Sequence, residues 1–144
     1  MKQLIAFFAI TVIAASTVLG GNHPKGSPKF KNSLPTALSE AKKDNKPVIA
    51  IFSAVWCGPC QQMKNNVYPS EAVKPFHDKF VWAYLDADAA ANKAPMKKFG
   101  VKGIPHIEFL DSTGKSIGKQ VGANSPEAFA KTLEEMLKKA GGKG

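Results

Sequence analysis

Residues 48–60 read VIAIFSAVWCGPC, and this stretch decides the fold. Its first part, Val48 to Ala54, is a nearly unbroken apolar run that is too short for a buried helix. Such a run is typical of a central strand whose two faces are both covered. Two cysteines, Cys57 and Cys60, follow directly and are separated by a Gly-Pro pair. The stretch therefore predicts a buried strand with a pair of thiols just beyond its end.

Helical and strand patterns alternate on both sides of this strand. The predicted order is a helix over about 34–44 capped by Asn32 or Ser33, the strand over 48–54, a helix over 57–67, a strand over 80–86, a helix over 89–99 closed by Gly100, strands over 104–111 and 115–121, and a helix from Ser125. Strands separated by helices need right-handed crossovers and parallel pairing, and the last two strands form a hairpin. We expect an α/β fold with a central mixed sheet of about four strands, flanked by helices on both faces.

The N-terminal residues have the layout of a secretory signal. Lys2 gives a positive start, Leu4 to Ala15 is apolar, and small residues follow. An uncleaved membrane anchor is the alternative, although the apolar run is shorter than the ~20 residues that usually span a bilayer. The expected organisation is a signal peptide over 1–20, a flexible linker over 21–32, a folded domain over 33–140 and a frayed tail over 141–144. Such a signal predicts an exported protein, located in bacteria in the periplasm.

The chain carries a formal net charge of +9, and all 20 of its positive residues are lysines. The lysines are spread along the chain, and arginine, the side chain best suited to bidentate phosphate contacts, is absent. This pattern argues against nucleic-acid binding and predicts a solvated surface. A preference for acidic partners or for an anionic membrane surface stays open.

The spacing of Cys57 and Cys60 predicts a redox switch rather than a structural crosslink. A disulfide that closes so small a loop removes little entropy from the unfolded chain. At the start of a helix, unpaired amides and the helix dipole favour negative charge, so Cys57 is the predicted nucleophile. Cys60 lies one turn further in and can attack a mixed disulfide formed at Cys57, which makes it the predicted resolving thiol.

Three neighbouring residues support the turn between the cysteines. Gly58 and Pro59 shape it, and Pro59 removes an amide that could otherwise donate a hydrogen bond to a thiolate. A reduced form with fewer donors is less stabilised, which predicts a more reducing couple. Trp56 either shields one side of the cysteine pair or packs beside the turn without a role in the chemistry.

The motif WCGPC at 56–60 resembles the signature of the thioredoxin superfamily, and the resemblance extends over about 33–139. A second motif, Gly103-Ile104-Pro105, resembles the cis-proline loop that faces the cysteine pair in that family. The resemblance implies a thioredoxin fold and a cis bond between Ile104 and Pro105. It also implies that the backbone of Ile104 pairs with an extended substrate strand.

Two further stretches carry subfamily detail. The sequence KPV at 46–48 and the sequence NVYPS at 66–70 resemble exported thioredoxin-like proteins and the thioredoxin-like end domain of the membrane electron-transfer protein DsbD. Cytosolic members of the superfamily carry a buried aspartate six positions before the first cysteine, where this chain has Ile51. The proton acceptor of Cys60 is therefore open.

Two polar residues are candidates for that acceptor. His106 and Glu108 share one face of the strand that follows Pro105, because alternate residues of a strand share a face. Either could take part in a proton relay. The alternative interpretation is a surface pair or a satisfied polar pair.

The resemblance and the signal together favour an exported thiol:disulfide oxidoreductase that reduces protein disulfides without a cofactor and is recharged by a membrane-bound thiol donor. An oxidase or isomerase of the same fold is the alternative. Isomerases of this kind are usually dimers, whereas we expect a monomer here. A third class is a binding module or metal carrier that uses the two thiolates with His106 or His23, although two cysteines supply only half of a tetrahedral site.

Overall fold

A five-stranded sheet organises the part of the chain that the structure, a computed structural model, describes, which is residues 22–141. The expected signal peptide and the last three residues of the expected tail lie outside this part. Within 22–141, no helix combines the length and the apolar character that a membrane crossing requires. The strands are β1 (Phe30–Lys31), β2 (Val48–Ser53), β3 (Val81–Asp86), β4 (His106–Leu110) and β5 (Ser116–Val121).

The strand order across the sheet is β1-β3-β2-β4-β5. The central strand β2 pairs in parallel with β3 and antiparallel with β4, and β4 and β5 form the predicted antiparallel hairpin. All six residues of β2 are buried, as the apolar run predicts for a central strand. The α/β architecture with a mixed sheet is confirmed, and the sheet has one strand more than the four expected.

The additional strand β1 lies inside the segment that was expected to be a flexible linker over 21–32. Phe30 pairs with Trp82 of β3, and the ring of Phe30 lies 5.3 Å from that of Tyr84. The ring of His23 lies 4.4 Å from that of Phe30 and 4.9 Å from that of Tyr84. The linker interpretation is therefore wrong for this part of the segment. The Gly, Pro and Lys residues of the segment are typical of a linker, but Phe30 anchors it by contacts with residues more than fifty positions later in the chain.

The helices lie near the predicted positions. They are α1 (Leu34–Asp44), α2 (Gly58–Gln62) continued by a π-helical turn (Met63–Val67), a 3-10 turn (Lys74–Lys79), a second 3-10 turn (Ala90–Asn92), α3 (Lys93–Lys98) and α4 (Pro126–Gly141). Ser33 caps α1 by accepting a hydrogen bond from the Thr36 amide, and Ser125 accepts one from the Ala128 amide. Gly100 has a φ of 65° just after α3, which is the left-handed stop that the sequence predicts.

Side chains of β2 alternate between two cores. Ile49 and Ile51 pack with Met63 and with residues of α4 on one face, hereafter the α2/α4 face. Ala50 and Phe52 pack with residues of α1 and α3 on the other face, the α1/α3 face. Full burial of each such apolar side chain stabilises the fold by about 1.5–3 kcal/mol. The two cores fix β2 in register, and the end of this strand carries the cysteine turn.

The two edge strands of the sheet are short, charged or irregularly paired. The edge strand β1 is two residues long, and the opposite edge strand β5 carries the exposed Lys119. The pairing of β4 with β5 also shifts register between Phe109 and Leu110. Short, charged or irregular edges resist pairing with other chains.

Candidate active site at the Cys57–Cys60 disulfide

Cys57 and Cys60 form a disulfide at the N-terminus of α2, with their Cα atoms 5.2 Å apart. Cys57 is the N-cap residue, and its Sγ lies 3.2 Å from the backbone nitrogen of Cys60, which donates its N–H to the sulfur. The two residues differ in cover, since Cys57 is 5% exposed and Cys60 is 1% exposed. A sulfur at the cap faces amides that helical bonds leave free, which favours negative charge there. After reduction, the thiolate is therefore stabilised at Cys57.

The loop with Ile104 and Pro105 lies against the disulfide. The peptide bond between these two residues is cis, and the carbonyl oxygen of Ile104 is 3.7 Å from Sγ of Cys57. Ile104 also packs against a small buried cluster that contains both cysteines. The carbonyl oxygen of Pro105 accepts a hydrogen bond from the amide of Gly122 over 2.9 Å, which ties the loop to the end of β5. The structure thus brings together two motifs that are about 45 residues apart.

Trp56 stands out from the surface beside the disulfide, with 68% of its area exposed. Its indole Nε1–H donates a hydrogen bond to Oδ2 of Asp88 over 2.7 Å. Asp88 in turn lies in a tight turn, where its amide donates to Oδ1 of Asp86. The indole is therefore held in place by a hydrogen bond rather than by core packing. Sequence reasoning missed Asp88, because one of eleven acidic residues in a loop carries no local signal.

The insert between the cysteines leaves the site open. Nothing lies within 4 Å of the position that a Cβ would take at Gly58. Pro59 sits in the first turn of α2, where the missing N–H costs no helical bond. A partner chain can therefore approach the disulfide from this side without displacing protein atoms.

Three large hydrophobic side chains are exposed in the part of the chain that the structure describes, namely Val55, Trp56 and Val121, at 89%, 68% and 59%. Two of them directly precede Cys57. Val121 is paired with His106 at the end of the hairpin, beside the Pro105 loop. The large exposed hydrophobic side chains of the described residues thus lie beside the cysteine turn and beside the Pro105 loop. Val55 and Val121 were not identified from the sequence, because a valine at a strand end has the same pattern as a core residue.

The two candidates for a proton relay lie on the α1/α3 face of the sheet and bind each other. His106 Nε2 is 2.7 Å from Glu108 Oε2, both residues are buried, and the Ser116 hydroxyl donates to the other carboxylate oxygen of Glu108. In register, these two residues lie opposite Phe52 and Ala50, on the α1/α3 face. They form a satisfied buried polar pair, which is the second of the two interpretations above.

Cys60 belongs to a small buried cluster with Ala54, Cys57 and Ile104. It precedes Met63 by three residues, and Met63 packs on the α2/α4 face. The helical period therefore places Cys60 on the side of its helix that adjoins this face. Ile51 lies on this face, opposite Tyr84 of β3 and Ile107 of β4, neither of which carries a carboxylate. Burial raises the pKa of Tyr84 above its ordinary value of 10.0, and a hydrogen bond with Ser53 partly opposes this rise. The position of the missing aspartate is thus surrounded by uncharged groups.

Residues 34–137 match a family model described as a thioredoxin-like domain. The chain belongs to this family. Its thioredoxin-like domain is also similar in structure to a thioredoxin from Thermus thermophilus, with a TM-score of 0.72 and 25% identity over 80% of this chain and 91% of that one. The family assignment therefore rests on both sequence and fold.

Among curated relatives, the thioredoxin-like protein HCF164 of Arabidopsis thaliana is 34% identical over 116 residues, which are 79% of this chain and 44% of that protein. The thiol:disulfide interchange protein DsbD of Cronobacter sakazakii is 32% identical over 111 residues, which are 74% of this chain and 19% of DsbD. The thioredoxin-like chain thus spans less than half the length of these relatives. Relatives named as a thioredoxin and as a thiol:disulfide interchange protein support thiol–disulfide redox chemistry for this family in general.

Proposed function

We propose that the protein reduces disulfide bonds in other proteins by dithiol exchange through Cys57 and Cys60. The observation that carries this proposal is the position of the exposed hydrophobic side chains. Val55 and Trp56 directly precede Cys57, and Val121 lies beside the Pro105 loop, which suits a site for a polypeptide better than one for a small polar disulfide. Ile104 supplies backbone beside Cys57 for an extended segment of the substrate.

The reaction runs in two exchange steps. The Cys57 thiolate attacks one sulfur of the substrate disulfide, a mixed disulfide forms, and the other substrate sulfur leaves as a thiolate. Cys60 then loses its proton and attacks Sγ of Cys57. The bond between Cys57 and the substrate breaks, and the second substrate sulfur leaves and takes up a proton. Two electrons have passed to the substrate, and the protein holds the Cys57–Cys60 disulfide seen in the structure. No cofactor is needed, because the two cysteine sulfurs supply both electrons.

The insert between the cysteines supports the proposed direction of the reaction. Pro59 has no N–H, so the first turn of α2 offers the Cys57 thiolate one donor fewer than most sequences would. A less stabilised dithiol gives up its electrons more readily. This supports reduction rather than oxidation of substrates.

For the cell, we propose export to the periplasm, with a membrane-bound thiol protein that recharges the Cys57–Cys60 pair. Lys2 and the apolar run from Leu4 to Ala15 support export. An exported reductase works where disulfides persist, and it needs a donor that delivers electrons across the membrane. The short edge strand β1 and the irregular pairing of β5 support a monomer, because such edges resist pairing with a second copy of the chain.

The midpoint potential of the Cys57–Cys60 couple tests the proposed direction. Equilibration with glutathione buffers, followed by thiol alkylation and mass measurement, gives this potential directly. A value near roughly −270 mV supports a reductase, whereas a value near roughly −120 mV would show that the protein oxidises its substrates. A Cys57→Ser variant serves as the control for alkylation at Cys60 alone.

Fractionation tests the proposed compartment. The full chain is produced in a Gram-negative bacterium, and the mass of the protein released by osmotic shock is measured. Release of a form that lacks about the first 20 residues supports export with cleavage. Recovery of the full-length chain in the cytosol would contradict it.

A further inference from the structure

One long stretch of the chain contains several lysines but few acidic residues. Between Asp88 and Glu127 there are six lysines and only two acidic residues. Those two acids, Glu108 and Asp111, are both buried, at 4% and 3% exposure. Every exposed acidic or basic side chain in this stretch is therefore a lysine. The lysines concerned are Lys93, Lys97, Lys98, Lys102, Lys115 and Lys119.

Three of these lysines lie in the segment that leads into the loop with Ile104 and Pro105. Lys97 and Lys98 form the last turn of α3, and Lys102 lies two residues before Ile104. All three are exposed. The ion pairs found within residues 22–141 involve other lysines, so none of these three ammonium groups is neutralised by a carboxylate there. We call Lys97, Lys98 and Lys102 the α3 lysine cluster.

The core fixes the direction in which this segment presents its charge. Met96, Phe99 and Ile104 pack against the core on the α1/α3 face, and the ring of Phe99 lies 6.3 Å from that of Phe52. Because the apolar side chains of the segment point inward, its lysines are left on the outer surface beside the loop that contacts Cys57. Two acidic residues also lie near the site, since Asp88 accepts a hydrogen bond from Trp56 and Asp86 is exposed two residues before it.

We propose that the α3 lysine cluster is a docking surface for substrate proteins that carry an acidic segment beside their disulfide. This inference rests on the proposed function, because it assumes a substrate chain that is bound at Ile104 and carries its acidic segment on one side. Unpaired lysines at the rim of a site raise the rate of encounter with an anionic partner and select against cationic ones. A flat anionic membrane would meet Asp86 and Asp88 as well as the lysines. An extended peptide, in contrast, can turn its acidic residues to one side only.

Peptide reduction tests the proposal. Three peptides of equal length each contain one internal disulfide, flanked on one side by four Asp, four Asn or four Lys residues. The rate constant for reduction by the reduced protein is measured at ionic strengths of about 0.01 M and about 0.3 M. We expect the Asp peptide to react about tenfold faster than the Asn peptide at low salt, the Lys peptide to be the slowest, and the differences to shrink at high salt.

The chain offers a matched pair of control lysines. Lys42 and Lys43 are exposed and lie in the last turn of α1, just before β2 begins, so the length of β2 separates them from the cysteines. The double variant Lys97→Glu/Lys98→Glu should bring the Asp and Asn peptides to within about twofold of each other. The double variant Lys42→Glu/Lys43→Glu makes the same change in net charge and should retain the preference. Lys102→Glu lies outside the helix and tests the cluster independently if the α3 variant does not fold.

Equal rates for the Asp and Asn peptides would overturn the docking surface and leave the proposed function intact. Equal loss of preference in the α1 and α3 double variants would also overturn it, because net charge alone would then explain the effect. Binding to phosphatidylglycerol vesicles that depends on Lys97 and Lys98, without any peptide preference, would assign the surface to a membrane instead. If the dithiol reduces none of the peptides, the proposed function itself fails.

Discussion

The backbone N–H of Cys60 points at Sγ of Cys57 over 3.2 Å. One cysteine of the pair thus receives a hydrogen bond from the backbone of the other, and the two sulfurs have unequal surroundings. In the reduced protein this bond stabilises a thiolate at Cys57 and does nothing for Cys60. The order of attack in the proposed reaction follows from this asymmetry.

A Cys60→Ser variant should accumulate mixed disulfides with its substrates and its electron donor. The variant retains the nucleophile at Cys57 and lacks the thiol that releases the bound partner. The variant is expressed with its N-terminal segment in a Gram-negative bacterium. Electrophoresis without reductant, followed by mass spectrometry, then identifies the trapped proteins. The matched Cys57→Ser variant should trap far fewer. Equal trapping by the two variants would contradict the assigned roles.

The two tryptophans should report the redox state unequally. Trp56 adjoins the disulfide and is 68% exposed, whereas Trp82 is 1% exposed in the core. We expect reduction to change the emission of a Trp82→Phe variant, which retains Trp56, and to leave that of a Trp56→Phe variant nearly constant. Asp88→Asn, which weakens the charge-assisted hydrogen bond to the indole, should cost up to about 1 kcal/mol and alter only the Trp56 signal. Denaturant titrations and emission spectra of these variants measure both effects.

An acidic residue at position 51 should speed the release step and weaken the fold. Ile51 is fully buried on the α2/α4 face, where Met63, three residues after Cys60, also packs. In the Ile51→Asp variant, a carboxylate can accept the Cys60 proton, but its burial costs about 2–5 kcal/mol of stability. Ile51→Asn is the control, since its amide has a similar burial cost and cannot act as a base. Stopped-flow measurement of mixed-disulfide decay should separate the two variants at neutral pH. If both decay at the same rate, proton removal does not limit the step.

Gly118 of β5 tests the packing of α4 against the sheet. A Cβ at this position would lie 2.7 Å from Sδ of Met136. The end of a methionine side chain can move, so Gly118→Ala should cost no more than about 1 kcal/mol, whereas Gly118→Val should cost about 1–3 kcal/mol. In a Met136→Ala background, Gly118→Ala should become neutral or stabilising, because the obstacle is gone. Gly141→Ala, which meets nothing within 4 Å, is the control for denaturant unfolding.

His23 should make stability depend on pH. Burial, and to a lesser extent the Lys64 ammonium, lower the pKa of His23 below its ordinary value of 6.5. The folded state therefore prefers the neutral ring, and this contribution is complete above the pKa of the unfolded chain. It is lost as the pH falls from about 6.5 through the lower folded value, because the unfolded chain binds the proton first.

A His23→Phe variant retains the ring contacts with Phe30 and Tyr84 and should lose this part of the pH dependence. Unfolding free energies between about pH 5 and pH 7.5 measure the difference in slope. Lys64→Gln should reduce the slope by a smaller amount. Equal slopes for the wild type and His23→Phe would show that the ring is not docked in solution.

Much of the fold could be predicted because its signals are local. The run at 48–54, the caps at Ser33 and Ser125 and the stop at Gly100 each act within a few residues, and each is found where it was expected. The short strand β1 could not be predicted, since Phe30 acquires its conformation from Trp82 and Tyr84. No property of residues 21–32 alone indicates that pairing.

The candidate site also contains some features with local sequence signals and others that depend on distant contacts. Cys57, Cys60 and their helix start follow from spacing and elementary electrostatics, whereas the approach of Ile104 to Cys57 was expected only from the family resemblance. Asp88 and Val121 reach the site through turns at the ends of β3 and β5, and only the assembled sheet brings them near Trp56 and Pro105. Sequence reasoning placed His106 and Glu108 on one shared face correctly, but it could not tell which face of the sheet that is.

The short and irregular sheet edges have a consequence for the proposed function. Under that proposal, the protein meets substrates whose strands are not yet paired and whose backbone groups are free to bind another sheet. One edge strand is two residues long, and the other carries a lysine and a register shift, so neither offers a substrate strand a long row of free backbone groups. We therefore expect substrates to bind at the cysteine turn without adding a strand to the sheet.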